Sequence, residues 1–222
     1  MRTAVSIAGT IERADLELLK LVGAALMVYE HVWRYVVGSF PAHVQLLGRI
    51  VFPAFVLALA LGMRFARQET VLGTCRRMAL WGVVAGIGSM VVRDTPSNVL
   101  FTFALGTLLH AALFGFLRVR WIAIALCILL SFGCEGGPWW VMAVAAALTC
   151  ARTNRAALRA VSGALAVLGI CVGQYYVQAA AFGVAAALLL LLVPTAVPRV
   201  RRAFYWVYAG QWPLIAALRW VL

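Results

Sequence analysis

Apolar runs recur along the whole of this 222-residue chain, and no polar stretch between them exceeds about fifteen residues. Charged, Gly or Pro breaks separate nine candidate spans, at about 16–37, 44–63, 78–92, 98–117, 121–134, 138–150, 157–173, 177–193 and 203–222. With 65% hydrophobic and 12% charged residues, the chain lacks the polar surface that a soluble domain of this length needs. The pattern predicts an all-α polytopic membrane protein of about nine transmembrane helices, forming a single domain over residues 1–222. The fifth and sixth spans are short and are joined by Gly133-Cys134-Glu135-Gly136-Gly137-Pro138, a hairpin not expected to cross fully.

The net charge of +12 would suit a nucleic-acid partner if it were gathered on one soluble face. It is instead dispersed in short clusters between spans, which excludes that class and leaves the lipid bilayer as the partner. The breaks after the second, fourth, sixth and eighth spans hold Arg64, Arg67, Arg76 and Arg77; Arg118 and Arg120; Arg152, Arg155 and Arg159; and Arg199, Arg201 and Arg202. The alternate breaks hold Arg93 with Asp94, and Glu135. This positive-inside asymmetry predicts a cytoplasmic N-terminus and an extracytoplasmic C-terminus. Residues 1–15 are mixed polar and the first apolar run has no small-residue cleavage site after it, so no cleaved signal is expected. The five cysteines show no C-x-x-C spacing and read as small membrane-helix residues.

Within the first span, LMVYEHVWRY sets Glu30, His31 and Arg34 deep in apolar sequence. A charge near the bilayer centre costs about 2.5–3.5 kcal/mol on insertion scales, so three ionisable groups in five positions point to a polar interior. Glu30 and Arg34 stand at i,i+4 and can pair along one face, which alone would make both tolerable. His31 points elsewhere, and its neutral imidazole is the usual general base near pH 7. Arg49, in LLGRIVFPAF, cannot neutralise itself and needs an anionic partner or a polar cavity. Asn98 either caps its helix or serves the site. With the arginine clusters cytoplasmic, Arg49, Asn98, Thr102, Glu135, Gln174, Tyr175, Tyr176 and Gln178 fall with His31 in the outer half of the membrane. His110 reads as structural or interfacial, and His43 as a loop residue. The three histidines have no metal-ligand spacing, so no metal is expected. Gly82-x-x-x-Gly86 and Gly169-x-x-x-Gly173 read as helix-packing sites.

Four blocks in order carry a resemblance. LKLVGAALMVYEHVWRYV holds an acidic-His pair, Glu30-His31; LLGRIVFPAFVLALALGMRFAR holds Gly48-Arg49 followed by Phe52, Pro53 and Phe55. SNVLFTFALGTLLH holds Asn98, Phe101, Thr102 and Gly106, and CEGGPWWVM holds Glu135 and Gly137. From about Asp15 to Leu218 the chain resembles the TraX family, membrane acetylases that modify the N-terminus of F-type conjugative pilin. More loosely it is similar to transmembrane acyltransferases that use cytosolic acyl-CoA. It departs at the last block, where the family tends to show Tyr-Pro-x-His and this chain has Tyr208-Ala209-Gly210-Gln211.

The resemblance implies a multi-pass protein of the bacterial inner (cytoplasmic) membrane that moves an acetyl group from acetyl-CoA to an extracytoplasmic acceptor such as pilin. In that expectation His31, Glu30, Arg49 and Asn98 are catalytic, with His31 as base and Arg49 or Asn98 stabilising the oxyanion. Arg34, Thr102, Glu135, Tyr175, Tyr176 and Gln211 meet the acceptor, and Arg64, Arg67, Arg76 and Arg77 meet the phosphates of acetyl-CoA. A transporter or a non-catalytic pilus-assembly protein would also explain charges within the membrane.

Overall fold

The apolar runs all become helices. The computed structural model describes residues 4–93, 98–174, 177–193 and 203–221, with side chains except at 4–15, 177, 203 and 204. Asp94, Tyr175, Tyr176, Arg199, Arg201 and Arg202 lie outside the described residues. Nine α-helices stand among those described: α1 (Ala4–Val32), α2 (Ala42–Gly62), α3 (Gln68–Arg93), α4 (Val99–Leu113), α5 (Arg120–Ser131), α6 (Gly137–Arg152), α7 (Ala156–Gly173), α8 (Val177–Leu190) and α9 (Ala203–Val221). A π-helical turn over Trp33–Val37 continues α1 and closes on Gly38, at φ +72°, a left-handed conformation that glycine adopts without steric cost.

Two starts differ from the expected spans. Helix α3 begins at Gln68, ten residues before the apolar run, so Arg76 and Arg77 lie inside a helix and only Arg64 and Arg67 in the break. Helix α1 likewise reaches back to Ala4. Hydropathy marks where a helix meets lipid, whereas backbone hydrogen bonding continues through polar turns. Helices α2, α3 and α7 are long and apolar enough to cross a membrane; α4, α5 and residues 178–190 are apolar but shorter. The 12 residues of α5 rise only about 18 Å, short of a hydrocarbon core of about 30 Å.

The outer surface is unlike that of a soluble bundle. Large apolar side chains point outward, among them Ile87 and Val91 on α3, Trp121, Ile122 and Leu129 on α5, and Leu189 on α8. Small and polar residues lie inside, including Ala54, Ala85, Ala143, Ser89, Thr102 and Thr107. Lipid solvates the outer surface, and close packing holds the interior. These features make the chain a membrane protein.

Helix α2 packs against α1, α6 and α8, and α4 against α3, α5 and α6. Glycines permit the approach. A Cβ on Gly169 of α7 would come 2.6 Å from the Trp139 carbonyl of α6, and one on Gly82 of α3 would meet the Phe101 ring of α4 at 3.0 Å. At the arginine-rich end, Arg152 of α6 donates from Nη1 to the carbonyls of Met63 (2.6 Å) and Ala66 (2.9 Å), tying down the chain between α2 and α3. That arginine is a structural strut.

Candidate active site

The first helix delivers its ionisable residues to a cavity of about 120 Å³ at the end of the bundle away from the arginine clusters. Glu30, His31 and Arg34 from α1 and its π turn, Arg49 and Phe52 from α2, and Glu135 from the α5–α6 hairpin line it. Val99, Trp140, Gln174 and Tyr208 complete the wall. Residues nearly 180 positions apart in sequence thus meet in one polar chamber.

His31 is held from α9. Its Nδ1 lies 3.1 Å from Oε1 of Gln211, and its ring lies against Trp212, with centroids 4.7 Å apart. Because Gln211 presents its carbonyl oxygen, Nδ1 carries the proton and Nε2 keeps its lone pair, a tautomer assigned from the hydrogen bond. Trp212 in turn needs Gly88 of α3, where an added Cβ would come 2.6 Å from the Trp212 Cβ. Arg93 caps the cluster, its guanidinium 5.8 Å from the Trp212 ring centroid and 5.9 Å from that of Tyr35.

Glu30 seats against α2 at Gly48. A side chain there would collide with the Glu30 carboxylate, which explains why a glycine precedes Arg49. The expected Glu30–Arg34 pair is not formed among the described residues. The π turn changes the i→i+4 register immediately after Val32, and Arg34 lies instead over the rings of Tyr35 (5.5 Å) and Phe40 (5.2 Å). The charges bearing on Glu30 are those of Glu135, Arg34, Arg49 and Arg93.

Arg49 owes its backbone setting to Pro53. A proline has no N–H, so the carbonyl four residues earlier loses its helical partner. That carbonyl belongs to Arg49, and Nε2 of Gln174 donates to it at 3.5 Å. Gly183 of α8 also faces it, with no room for a Cβ.

Asn98 and Thr102 hold the frame and do not line the chamber. Asn98 Oδ1 accepts from the Leu100 N–H (3.1 Å) as the N-cap of α4, and its Nδ2 donates to the Gly82 carbonyl (2.9 Å). Both bonds engage Asn98 in the frame, and it is not among the residues that line the chamber. Thr102 donates to the Glu135 carbonyl (2.8 Å), fixing the hairpin so that Glu135 reaches the cavity and faces Arg93 at 3.6 Å. The Tyr208 hydroxyl accepts from the Val99 N–H at 3.2 Å.

Four buried polar atoms around this centre have no partner among the described residues: Trp140 Nε1, Gln174 Oε1, Gln211 Nε2 and Trp212 Nε1. Such orphans are costly unless water or a ligand meets them. Tyr35 carried no signal in the sequence, and Tyr208 entered only as part of the departing last block. Arg93 carried a signal, as the lone arginine of its break.

The remaining expected site residues are elsewhere. Arg64, Arg67, Arg76 and Arg77 are exposed at the opposite end. His110 is fully buried between α4 and α6, its Nδ1 3.1 Å from Thr149 Oγ1.

No curated protein and no solved structure matches the chain. A family model described as TraX protein matches residues 15–219, the stretch that contains every element of the chamber. The chain belongs to the TraX family.

Proposed function

We propose that this protein is a transmembrane acyltransferase that takes an acetyl group from cytosolic acetyl-CoA and passes it to an extracytoplasmic acceptor, the N-terminal amine of a pilin subunit. The observation that carries this reading is a histidine with one ring nitrogen committed to Gln211 and the other free to take a proton, in a chamber shared with Arg49 and two carboxylates. Family membership supports the same reading. The arginine asymmetry supports a cytoplasmic N-terminus in the bacterial inner membrane, nine crossings in all, an extracytoplasmic C-terminus and a chamber near the outer face.

The acceptor nitrogen attacks the thioester carbonyl. The C–N bond forms, the C–S bond breaks, and the amine proton passes to His31 Nε2 and then to the departing thiolate, which leaves as CoA thiol. Arg49 stabilises the oxyanion as it develops. Glu30 and Glu135 hold the cationic groups in place and attract the protonated acceptor amine before it yields its proton. In this reading transfer is direct, and among the described residues that line the chamber there is no cysteine to carry an acyl thioester.

The test is thiol release by purified protein in sealed vesicles of known orientation. Acetyl-CoA should be consumed only from the cytoplasmic face, and acetylated acceptor should appear only on the other. Absence of acceptor-dependent thiol release would favour a transporter or an assembly factor. A cytoplasmic reporter fused at Leu222 should be inactive; if active, it would invert the topology.

A further inference from the structure

A second cavity, of about 230 Å³, lies in series with the first. Positions 48, 52, 55, 59 and 62 of α2 follow the i+3/i+4 steps of one helix face. Gly48 and Phe52 line the chamber; Phe55, Leu59 and Gly62 line the second cavity. Adjacent residues of α4 divide the same way, Val99 to the chamber and Leu100 to the second cavity. The boundary contains an aromatic stack. Phe52 lies on Trp140 (4.0 Å between centroids) and on Phe103 (5.5 Å), and Phe103 meets Phe55 edge to face.

The second cavity has a polar mouth and an apolar floor. Phe55, Met78, Leu100 and Phe103 form the floor, all buried. Lys20, Thr70, Thr74 and Tyr205 form the mouth. Arg77 ties the mouth together, donating from Nη2 to Thr74 Oγ1 (2.7 Å) and sharing a hydrogen bond with Tyr205. Lys20 pairs with Glu17 at 2.7 Å, and Arg64 and Arg67 stand in the short break that follows Met63 at the rim. Lys20, Arg64, Arg67 and Arg77 outnumber Glu17 and Glu69, the latter beside Thr70, and leave the mouth positive. Lys20 is 11 residues from His31 on the same helix, about 16 Å along its axis.

We propose that this second cavity is the donor site. The anionic end of an acyl thioester is held at the mouth by Lys20 and Arg77, its thioester arm lies over the apolar floor, and the acyl group crosses the Phe52–Phe103 ring pair to reach His31. A linear ligand that is polyanionic at one end and apolar toward the other matches this lining. The proposal rests on the acyl-transfer reading and adds to it where the donor sits and which residues read it.

Gly62 offers a clean test, because a Cβ there meets nothing within 4 Å and yet the residue lines the cavity. Gly62→Leu adds side-chain bulk to the cavity wall from a position where its Cβ meets no neighbour. Binding of a non-hydrolysable acetyl-CoA thioether to the full chain in nanodiscs should weaken tenfold or more in Gly62→Leu, Lys20→Gln and Arg77→Gln. Arg118→Gln, an exposed arginine at the same end outside the cavity, should bind as wild type. Melting temperatures near wild type establish that the variants fold. Wild-type binding that Gly62→Leu and Lys20→Gln leave unchanged would overturn the donor site while leaving acyl transfer standing. No binding by the wild-type protein at millimolar analogue would remove both.

Discussion

His31 and His110 are both histidines near one end of a largely apolar helix, and their surroundings give them opposite characters. His110 is sealed between α4 and α6, and the Thr149 hydroxyl it meets already donates to the Ala145 carbonyl (2.9 Å). Its Nδ1–H therefore donates to Thr149, and the ring of Phe114 covers it at 4.7 Å. His31 meets an amide from another helix, and its ring borders a cavity lined by charge. One is an internal fastener between two helices; the other is exposed to whatever enters the chamber. The environment, and not the residue type, separates them.

The sharpest challenge to that contrast is the pair of alanine variants. His31→Ala should lower acyl transfer by about 10²–10⁴-fold, the range for a general base, while leaving the melting temperature close to wild type. His110→Ala should leave turnover within a few-fold and destabilise the fold by about 1–3 kcal/mol, through a lost hydrogen bond and an unfilled space. Equal effects on turnover would dissolve the distinction. Next in size, Arg49→Leu should reduce turnover by about 10²–10³-fold, as expected for a lost oxyanion partner. Arg49→Lys should recover part of that loss, since the charge survives but the planar fork does not. Steady-state thiol release measures both.

Smaller effects sharpen the comparison. Gly48→Ala forces a methyl group onto the Glu30 carboxylate and should cost about 1–3 kcal/mol of stability together with a drop in turnover. Gln211→Leu removes the acceptor that orients His31 and should lower turnover about fivefold, in keeping with a net hydrogen-bond contribution of about 1 kcal/mol. Gln211→Glu, which retains the accepting oxygen, should restore most of that. If Gln211→Leu turned over at the wild-type rate, the tautomer of His31 would not depend on α9.

Much of the architecture was legible because apolar length is written directly in the chain: each run became a helix, most with bounds close to those expected. The early starts of α1 and α3 were not legible, since polar turns such as Gln68-Glu69-Thr70 carry no hydropathy signal while remaining good helix. Sequence also gathered Glu30, His31, Arg34, Arg49 and Glu135 at one end, because arginine asymmetry assigns depth. The particular partners escaped it. Pairing of Glu30 with Arg34 assumed an unbroken α-register, and the π turn after Val32 broke it. That Gln211 would seek His31, 180 positions away, depends on how α9 packs beside α1 and α3, which no local pattern encodes. Asn98, open between cap and site in the sequence, forms the cap of α4 and a bond to Gly82 of α3.

The proline of α2 has a consequence beyond its own helix. By withholding an N–H, Pro53 exports a backbone bond: the Arg49 carbonyl finds its donor on the residue that ends α7. Helix α2 is therefore not self-contained at the position where the chamber's arginine begins. At that point the Gln174 amide links the two helices through the Arg49 backbone, and not through a pair of charges. Restoring the local bond with Pro53→Ala would make α2 a better isolated helix and a looser neighbour, trading the linkage between distant segments for the regularity of one.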